Sequence, residues 1–196
     1  ASESLKIAIE IEEKTLCSSY CGISLSNIKI APSPEWLQKK LRAIGLNPIN
    51  NVVDATNFVM RELGTPIHAF DTKFLNGKIV VKKALKNQSF VTLDGIERKL
   101  SGEELMITNG TENLCIAGVL GGSYSSVSAE TTSIFLESAV FDAVSIRKTA
   151  RAHSLNTDAS FRFERGVDPE LTLYALRRTA RIIQEIAGGE IAMNEF

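Results

Sequence analysis

The sequence has few of the residues that metal sites and disulfide scaffolds need. Its 196 residues contain three cysteines and two histidines, namely Cys17, Cys21, Cys115, His68 and His153. An odd number of cysteines in a chain of this length does not make a disulfide framework. No CxxC pair and no HExxH motif is present, and the Cys17-x3-Cys21 spacing lacks the second ligand pair that zinc requires. We therefore expect no metal site and a location in a reducing compartment, the cytoplasm.

The sequence also lacks an excess of charge, a long apolar run and the common nucleotide-binding motifs. With 22 basic and 23 acidic residues the net charge is −1, which disfavours a strongly basic nucleic-acid binder but leaves a local basic face open. The longest apolar run, residues 116–120, is far below the ~18 residues that span a bilayer, and no N-terminal signal pattern is present. GxSxG, GxxxxGK[ST] and GxGxxG are missing. We expect no membrane partner and no nucleotide cofactor.

The sequence contains enough apolar residues to form a hydrophobic core, since they make up 44% of the chain. Strict alternation predicts a half-buried strand at 5–11, followed by an extended segment at 20–30. A helix is predicted from Ser33 as the cap and Pro34 as the first helical residue, ending at Gly45. Its apolar stripe is Trp36, Leu37, Leu41 and Ile44. A second helix runs from Asn50 or Asn51 to Gly64, and its apolar face includes Thr56, whose hydroxyl needs an internal partner.

After Pro66 the hydrophobic period becomes that of β-structure. Strands are predicted at 78–82, 89–93, 96–100, 106–108, 114–119 and 134–141, with Asp94-Gly95 as a hairpin turn. Two further helices are predicted, at about 143–153 with Asp142 as its cap and from Asp168-Pro169 to Gly188. No linker or repeat interrupts the chain. The pattern predicts one domain over 1–196, of the α+β class, with a mixed, largely antiparallel sheet and helices at both ends.

Three positions are candidates for chemistry, each with a structural alternative. His68 is either a histidine whose nitrogens are satisfied in the core or a functional residue in a loop-to-sheet transition. Gly118 ends a strand where a ligand or another backbone can approach closely. Glu137 lies in an apolar strand, where it either faces solvent or lines a pocket, because an unpaired buried carboxylate is too costly. Alternation alone favours solvent for Glu137.

A cluster of cations lies between residues 145 and 165. Its members are interleaved with acids, which favours a self-paired surface over a phosphate-binding one; they are Arg147, Lys148, Arg151, Arg162 and Arg165. Phe161 and Phe163 alternate with charged residues, which predicts a strand there.

Five motifs occur in order along the chain. They are NVVDATNFV at 51–59, PIHAFD at 66–71, LDG at 93–95, IAGVLGG at 116–122 and FRFERGVDP at 161–169. Together they resemble the B3/B4 region of the bacterial phenylalanyl-tRNA synthetase β subunit, over roughly residues 5–190. That subunit is several times longer, and the chain begins with Ala1-Ser2 rather than Met. We therefore expect an excised domain.

The resemblance implies an editing site that hydrolyses tyrosine wrongly attached to tRNA(Phe). Matching positions in the family's pocket motifs imply His68 and Thr56 near the ester, and Glu137 as the acceptor for the tyrosine hydroxyl. They also imply a set of substrate-binding neighbours: Gly118, Ala117, Thr157 and Ala159. His68 is either a general base or an orienting donor, and the sequence does not distinguish the two. Asn47 and Pro48 stand where relatives often carry an arginine, so the contact of that arginine to the tRNA end is not carried over.

The implied partners are the 3′ end of tRNA(Phe), the rest of the β subunit and the synthetase α subunit. ATP and Mg²⁺ are expected only at another site of the parent enzyme, and the implied process is protein biosynthesis. A non-catalytic module that positions tRNA or holds subunits together is the alternative. The implied editing function predicts that one cavity is lined by His68, Thr56, Gly118 and Glu137. It also predicts that the arginines of the cation cluster lie near the mouth of this cavity.

Overall fold

The computed structural model describes residues 5–193, so Ala1 and Ser2 lie outside the described part. Two main sheets form the frame, a five-stranded sheet in the order β1-β4-β7-β8-β9 and a four-stranded sheet in the order β11-β2-β10-β3. A separate hairpin joins β5 to β6. The strands are β1 Ala8–Ile11, β2 Cys17–Ser26, β3 Ile67–Asp71, β4 Lys78–Lys83, β5 Ser89–Val91, β6 Glu97–Lys99, β7 Leu105–Thr108, β8 Asn113–Ile116, β9 Leu120–Gly121, β10 Ile134–Phe141 and β11 Glu190–Met193.

Five α-helices and one short 3₁₀ helix at Thr72–Phe74 accompany the strands within residues 5–193. The α-helices are α1 Glu35–Ala43, α2 Asn51–Leu63, α3 Ala143–Ala152, α4 Asp158–Phe163 and α5 Leu171–Ala187. Only the β1–β4 pair is parallel among the described strand pairs, and the others are antiparallel. The predicted α+β class with a mixed, largely antiparallel sheet is confirmed.

The four-stranded sheet is the middle layer and separates two hydrophobic clusters. On one face Leu136 of β10 packs with Val52 of α2 and Leu176 of α5. On the other face Phe135 of β10 packs with residues of the five-stranded sheet and with Phe163 of α4. Because both faces of β10 are covered, seven of its eight residues are buried. This strand is therefore a core strand on both sides rather than a half-exposed one.

The helix ends follow the expected capping chemistry at two of the predicted helices. The Asn50 side chain accepts hydrogen bonds from the backbone N–H groups of Val52 and Val53 at the start of α2, and Gly64 ends that helix in the left-handed region. Asp142 caps α3 through the N–H of Ser145. The hydroxyl of Thr56 donates to the carbonyl of Val53, as the buried position required.

Local predictions are wrong in two segments, residues 33–44 and residues 158–163. Ser33 does not cap α1, because Pro34 occupies the cap position and the Ser33 hydroxyl donates instead to Asp54 at 2.6 Å. The stripe of α1 is narrower than predicted, since Leu37 and Leu41 are buried while Trp36 and Ile44 are exposed. The second error concerns residues 158–163, which form α4 and not a strand. There Thr157 and Ser160 make a capping box, a local hydrogen-bond pattern that outweighs the alternation of Phe161 and Phe163.

We predict that Gly22→Ala destabilises the chain by roughly 2 kcal/mol or more, the range expected for overpacking. A Cβ at Gly22 would lie 2.0 Å from Cζ of Phe135, whose ring covers this glycine across the β2–β10 pair. Urea denaturation measures the effect. Ser18→Ala, an exposed change on the same strand, is the control. A Gly22→Ala variant as stable as the Ser18→Ala variant would show that the ring can move away freely.

Candidate functional site

Strand pairing brings the two most informative candidates together. β10 lies between β2 and β3, and in this register Glu137 is opposite His68 on β3 and opposite Gly22 on β2. Directly paired residues point to the same face of a sheet, so the two side chains are neighbours although 69 positions apart in sequence. The face is the one that meets the five-stranded sheet. The antiparallel register of β10 and β3 thus places the carboxylate of Glu137 beside the imidazole of His68.

Two adjoining cavities open beside this pair. The inner cavity has a volume of about 70 Å³ and is lined by Glu137, Gly118, Cys115 and Phe163, among others. The outer cavity has a volume of about 520 Å³ and is lined by Thr56, Asn57, Leu93, Thr157 and Asp158, among others. Their common wall consists of Pro66, Ile67, His68, Val119, Leu120, Gly121 and Ala159.

The prediction of one shared cavity is therefore corrected in part. Glu137 and Gly118 line the inner cavity, Thr56 lines the outer one, and His68 lines both. Ala159 also lines both cavities, and Thr157 lines the outer one. Ala117 lines neither, since its side chain is buried in the core beside Gly118.

Glu137 is buried, with 5% of its surface exposed, so the preference for solvent drawn from alternation is wrong. Its Oε2 accepts a hydrogen bond of 2.5 Å from the hydroxyl of Tyr20 on β2. Its Oε1 has no hydrogen-bond partner among residues 5–193. Burial raises the pKa of Glu137 to about 7, and the hydrogen bond from Tyr20 acts in the opposite direction. The inner cavity is thus lined by a carboxyl group whose Oε1 is free to accept a hydrogen bond.

His68 is half-buried and faces both cavities. Burial lowers its pKa to about 4, so the imidazole is neutral at pH 7. Its ring packs edge-on against Phe70, with 4.5 Å between ring centroids, and no group of the described chain hydrogen-bonds to its nitrogens. The alternative of a core histidine with satisfied nitrogens does not hold. The ring is held by packing while its nitrogens stay available.

Two glycines of the cavity walls allow close packing of neighbouring side chains. A Cβ at Gly121 would lie 2.9 Å from Cε1 of His68, and one at Gly118 would lie 2.8 Å from Cδ1 of Ile146. Gly118 also has a φ of +66°, a backbone conformation that favours glycine. Gly121 of β9 therefore permits the wall of both cavities to approach the imidazole closely, while Gly118 in the β8–β9 turn permits close packing against Ile146.

The remaining candidate hydroxyls are engaged in structural hydrogen bonds. The Thr157 hydroxyl donates to the carbonyl of Val119 at 2.7 Å and accepts from the N–H of Ser160, which ties α4 to the cavity wall. The hydroxyl of Thr56 is bonded within α2. His153, the other histidine, pairs with the buried carboxylate of Glu104 at 2.8 Å and lines neither cavity.

The cation cluster divides into paired and exposed members. Arg162 donates to Asp158, and Arg165 donates to Glu164 and stacks on the ring of Phe161. These two therefore fit the self-paired alternative. Arg147 and Arg151 are exposed on α3, and neither has an ion pair with another described residue.

Sequence reasoning missed two groups at the site. Tyr20 is the buried donor to Glu137, but the two are 117 positions apart and only the β2–β10 pairing joins them. Arg61 of α2 holds Asp158 at the edge of the outer cavity through two 2.7 Å hydrogen bonds. The one local signal for Tyr20 was its place in an extended segment at 20–30.

Comparisons with known proteins give a consistent result. The family model of the B3/4 domain matches residues 16–188. The chain is 50% identical over 189 residues to the phenylalanine–tRNA ligase β subunit of Bacteroides fragilis, which covers 96% of this chain and 23% of the relative. It is 52% identical over 189 residues to the subunit of that name from Porphyromonas gingivalis, with 95% and 23% covered. The chain thus spans about a quarter of the length of these relatives.

A solved structure shares the fold. An N-terminal fragment of the phenylalanyl-tRNA synthetase β subunit from Pyrococcus horikoshii aligns with a TM-score of 0.58 at 14% sequence identity. The alignment covers 94% of this chain and 50% of the fragment.

We predict that Glu137→Gln becomes increasingly more stable than the original chain as pH rises. The native pKa of about 7 lies above the ordinary value of 4.5, so between these values the native state binds more protons than the unfolded state. The free energy of unfolding therefore falls with rising pH, by up to about 3 kcal/mol, and the glutamine variant escapes this loss. Denaturation of both chains from pH 4 to pH 8 measures the difference.

The exposed change Glu12→Gln is the control for removing one carboxylate. A stability difference between Glu137→Gln and the original chain that stays constant over this pH range would contradict the buried, titrating carboxyl.

Proposed function

The chain belongs to the B3/4 domain family, and from this premise we propose that it is the editing domain of a phenylalanine–tRNA ligase β subunit. In this proposal it hydrolyses the ester that links tyrosine to tRNA(Phe). One observation carries the assignment: Oε1 of Glu137 is a free acceptor at the inner end of a cavity whose wall holds a neutral imidazole. An acceptor at the end of a cavity selects a ligand with a donor at its tip.

The chemistry of the two amino acids explains why such a site is needed. Tyrosine differs from phenylalanine by one hydroxyl, and an apolar synthetic pocket rejects an added hydroxyl only about 10²-fold. A second site that binds this hydroxyl discriminates in the opposite sense, because a phenylalanyl ester leaves Oε1 of Glu137 without a partner. A hydrogen bond to a charged acceptor contributes roughly 1.5–3 kcal/mol, or about 10- to 150-fold.

The sizes of the cavities assign parts of the substrate to each. The inner cavity of about 70 Å³ is smaller than the ~150 Å³ that holds a benzene ring, so it takes only the hydroxyl end of the phenol. The outer cavity of about 520 Å³ has room for the rest of the ring, the ester and part of the terminal nucleoside. His68, on the shared wall, then lies beside the middle of the substrate.

Direct attack by water is the route that these side chains favour. The hydroxyls of Thr56 and Thr157 are bonded to carbonyls, and burial raises the pKa of the Cys115 thiol well above its usual range. None of the three is an activated nucleophile. In the proposed mechanism neutral His68 orients the water or accepts its proton while the water oxygen bonds to the ester carbonyl carbon. The bond from that carbon to the ribose oxygen then breaks, the ribose oxygen takes up the proton, and tyrosine is released.

The wider assignment follows the same premise. We place residues 1–196 as one domain of a longer subunit that acts in protein biosynthesis in the cytoplasm, with tRNA(Phe), the rest of the β subunit and the α subunit as partners. Aminoacylation, with ATP and Mg²⁺, belongs to another site of the parent enzyme. Within residues 5–193, no helix combines the length and apolar composition needed to cross a bilayer.

We predict that Glu137→Ala in the full ligase lowers hydrolysis of tyrosyl-tRNA(Phe) by about 10- to 150-fold and leaves phenylalanine charging unchanged. The change removes the acceptor for the para-hydroxyl and nothing at the synthetic site. Release of labelled tyrosine and aminoacylation are measured on the same preparation. Glu97→Ala, an exposed carboxylate on β6, is the matched control. Unchanged hydrolysis in Glu137→Ala would favour the non-catalytic tRNA-positioning or scaffold module.

We also predict that Arg147→Ala and Arg151→Ala each reduce the salt dependence of tRNA binding by the full ligase, by about one unit of slope. Both guanidinium groups are exposed and without an ion pair in the described chain, so they are available to phosphates. Arg165→Ala, which removes a self-paired cation, is the control and leaves the slope unchanged. If the salt dependence of tRNA binding in all three variants equals that of the original ligase, the phosphates of the tRNA are bound by other domains.

A further inference from the structure

The hydrogen bond from Tyr20 to Glu137 is a feature of the site that the proposed function does not yet use. We propose that Tyr20 is a positioning residue that sets the specificity of the site: its hydroxyl occupies Oε2 of Glu137 and so aims Oε1 at the para-hydroxyl of a tyrosyl ester. This inference rests on the proposed function, because it requires Glu137 to read that hydroxyl.

Among residues 5–193, Tyr20 is the one group that hydrogen-bonds to the carboxylate of Glu137. The Tyr20 hydroxyl and Glu137 Oε2 are 2.5 Å apart, and both side chains are buried. Tyr20 is paired with Ala139, two residues along β10 from Glu137, so its ring reaches the carboxylate diagonally across the sheet. Tyr20 itself lines neither cavity. It acts on the substrate only through Glu137.

Nothing else on the neighbouring strands restrains the carboxyl group. Gly22, directly opposite on β2, has no side chain, and His68, opposite on β3, makes no hydrogen bond to it. The terminal torsion of glutamate has a broad energy profile, so the group can rotate unless a hydrogen bond holds it. Without the Tyr20 hydroxyl both oxygens would lack a partner, and neither would be held toward the inner cavity.

Tyr20 also favours the acceptor form of Glu137. The other titratable groups around the carboxylate are Cys17 on β2, Cys115 on β8 and His68 on β3. Burial raises the pKa of both thiols and lowers that of His68, so all three are neutral at pH 7. Within the described part of the chain no cation therefore faces Glu137, and the Tyr20 hydroxyl is the group that lowers its pKa. Loss of that hydroxyl moves the pKa of Glu137 above about 7.

The test is Tyr20→Phe in the full ligase, which removes one oxygen and keeps the ring in the core. Hydrolysis of tyrosyl-tRNA(Phe) and of phenylalanyl-tRNA(Phe) is followed from pH 6 to pH 9, after subtraction of the enzyme-free rate. We expect the ratio of the two rates to fall about tenfold at pH 7, the upper range for loss of one hydrogen bond. The ratio of the two rates rises with pH as Glu137 ionises, and we expect the midpoint of this rise to lie at a higher pH in the variant. The variant therefore recovers part of the original ratio at pH 9.

Tyr124→Phe is the matched control, because Tyr124 is exposed and lines neither cavity. Phenylalanine charging, measured on each variant, reports whether the enzyme is assembled. A Tyr20→Phe variant with the original ratio and pH midpoint would overturn the inference. Equal loss of hydrolysis on both esters at every pH, or a parallel loss of charging, would assign Tyr20 to the core alone and also overturn it.

Glu137→Ala in the same series separates this inference from the proposed function. If Glu137→Ala keeps normal tyrosyl hydrolysis, the proposed function fails, and the role of Tyr20 fails with it. If Glu137→Ala loses hydrolysis while Tyr20→Phe behaves as the original enzyme, only the inference about Tyr20 fails.

Discussion

The pairing of β10 with strands on both of its edges is the constraint on which the rest of the structure depends. Its register with β2 and β3 places Glu137 beside Gly22 and His68 on the cavity face. A shift of one residue would turn Glu137 toward α2 and α5 and would put Leu136 or Ser138 in its place. The hydrogen bonds of a central strand thus determine which chemical group the cavities receive.

Local signals were sufficient for most of the frame. The caps at Asn50 and Asp142 and the glycine at the end of α2 act within a few residues, so the sequence predicts these helix ends well. Ser33 has the right type for a cap but is drawn to the buried Asp54, a partner 21 positions away. α4 was missed because a six-residue helix gives almost no periodic signal, and its capping box is a short pattern of hydroxyls.

The sequence indicated most of the candidate residues that line the two cavities, but not how the cavities are arranged. The resemblance supplied Glu137 and His68, while alternation alone placed the carboxylate in solvent. The alternation rule assumes that one face of the strand is exposed to solvent, and both faces of β10 are covered. The division into two cavities and the donor Tyr20 depend on contacts between distant strands, which no local pattern encodes. Ala117 is a predicted site residue that lines neither cavity. It adjoins Gly118 in sequence, but its side chain is buried in the core.

The buried carboxyl of Glu137 also bears on how such a domain changes over generations. A chain that carries this group ionised at neutral pH is less stable than one with a neutral residue of similar shape at that position. Most chains lie close to the stability they need, so substitutions that relieve such a burden are readily accepted when function does not oppose them. In a lineage that did not need a carboxylate at this position, this glutamate would be among the first residues of the domain to be replaced.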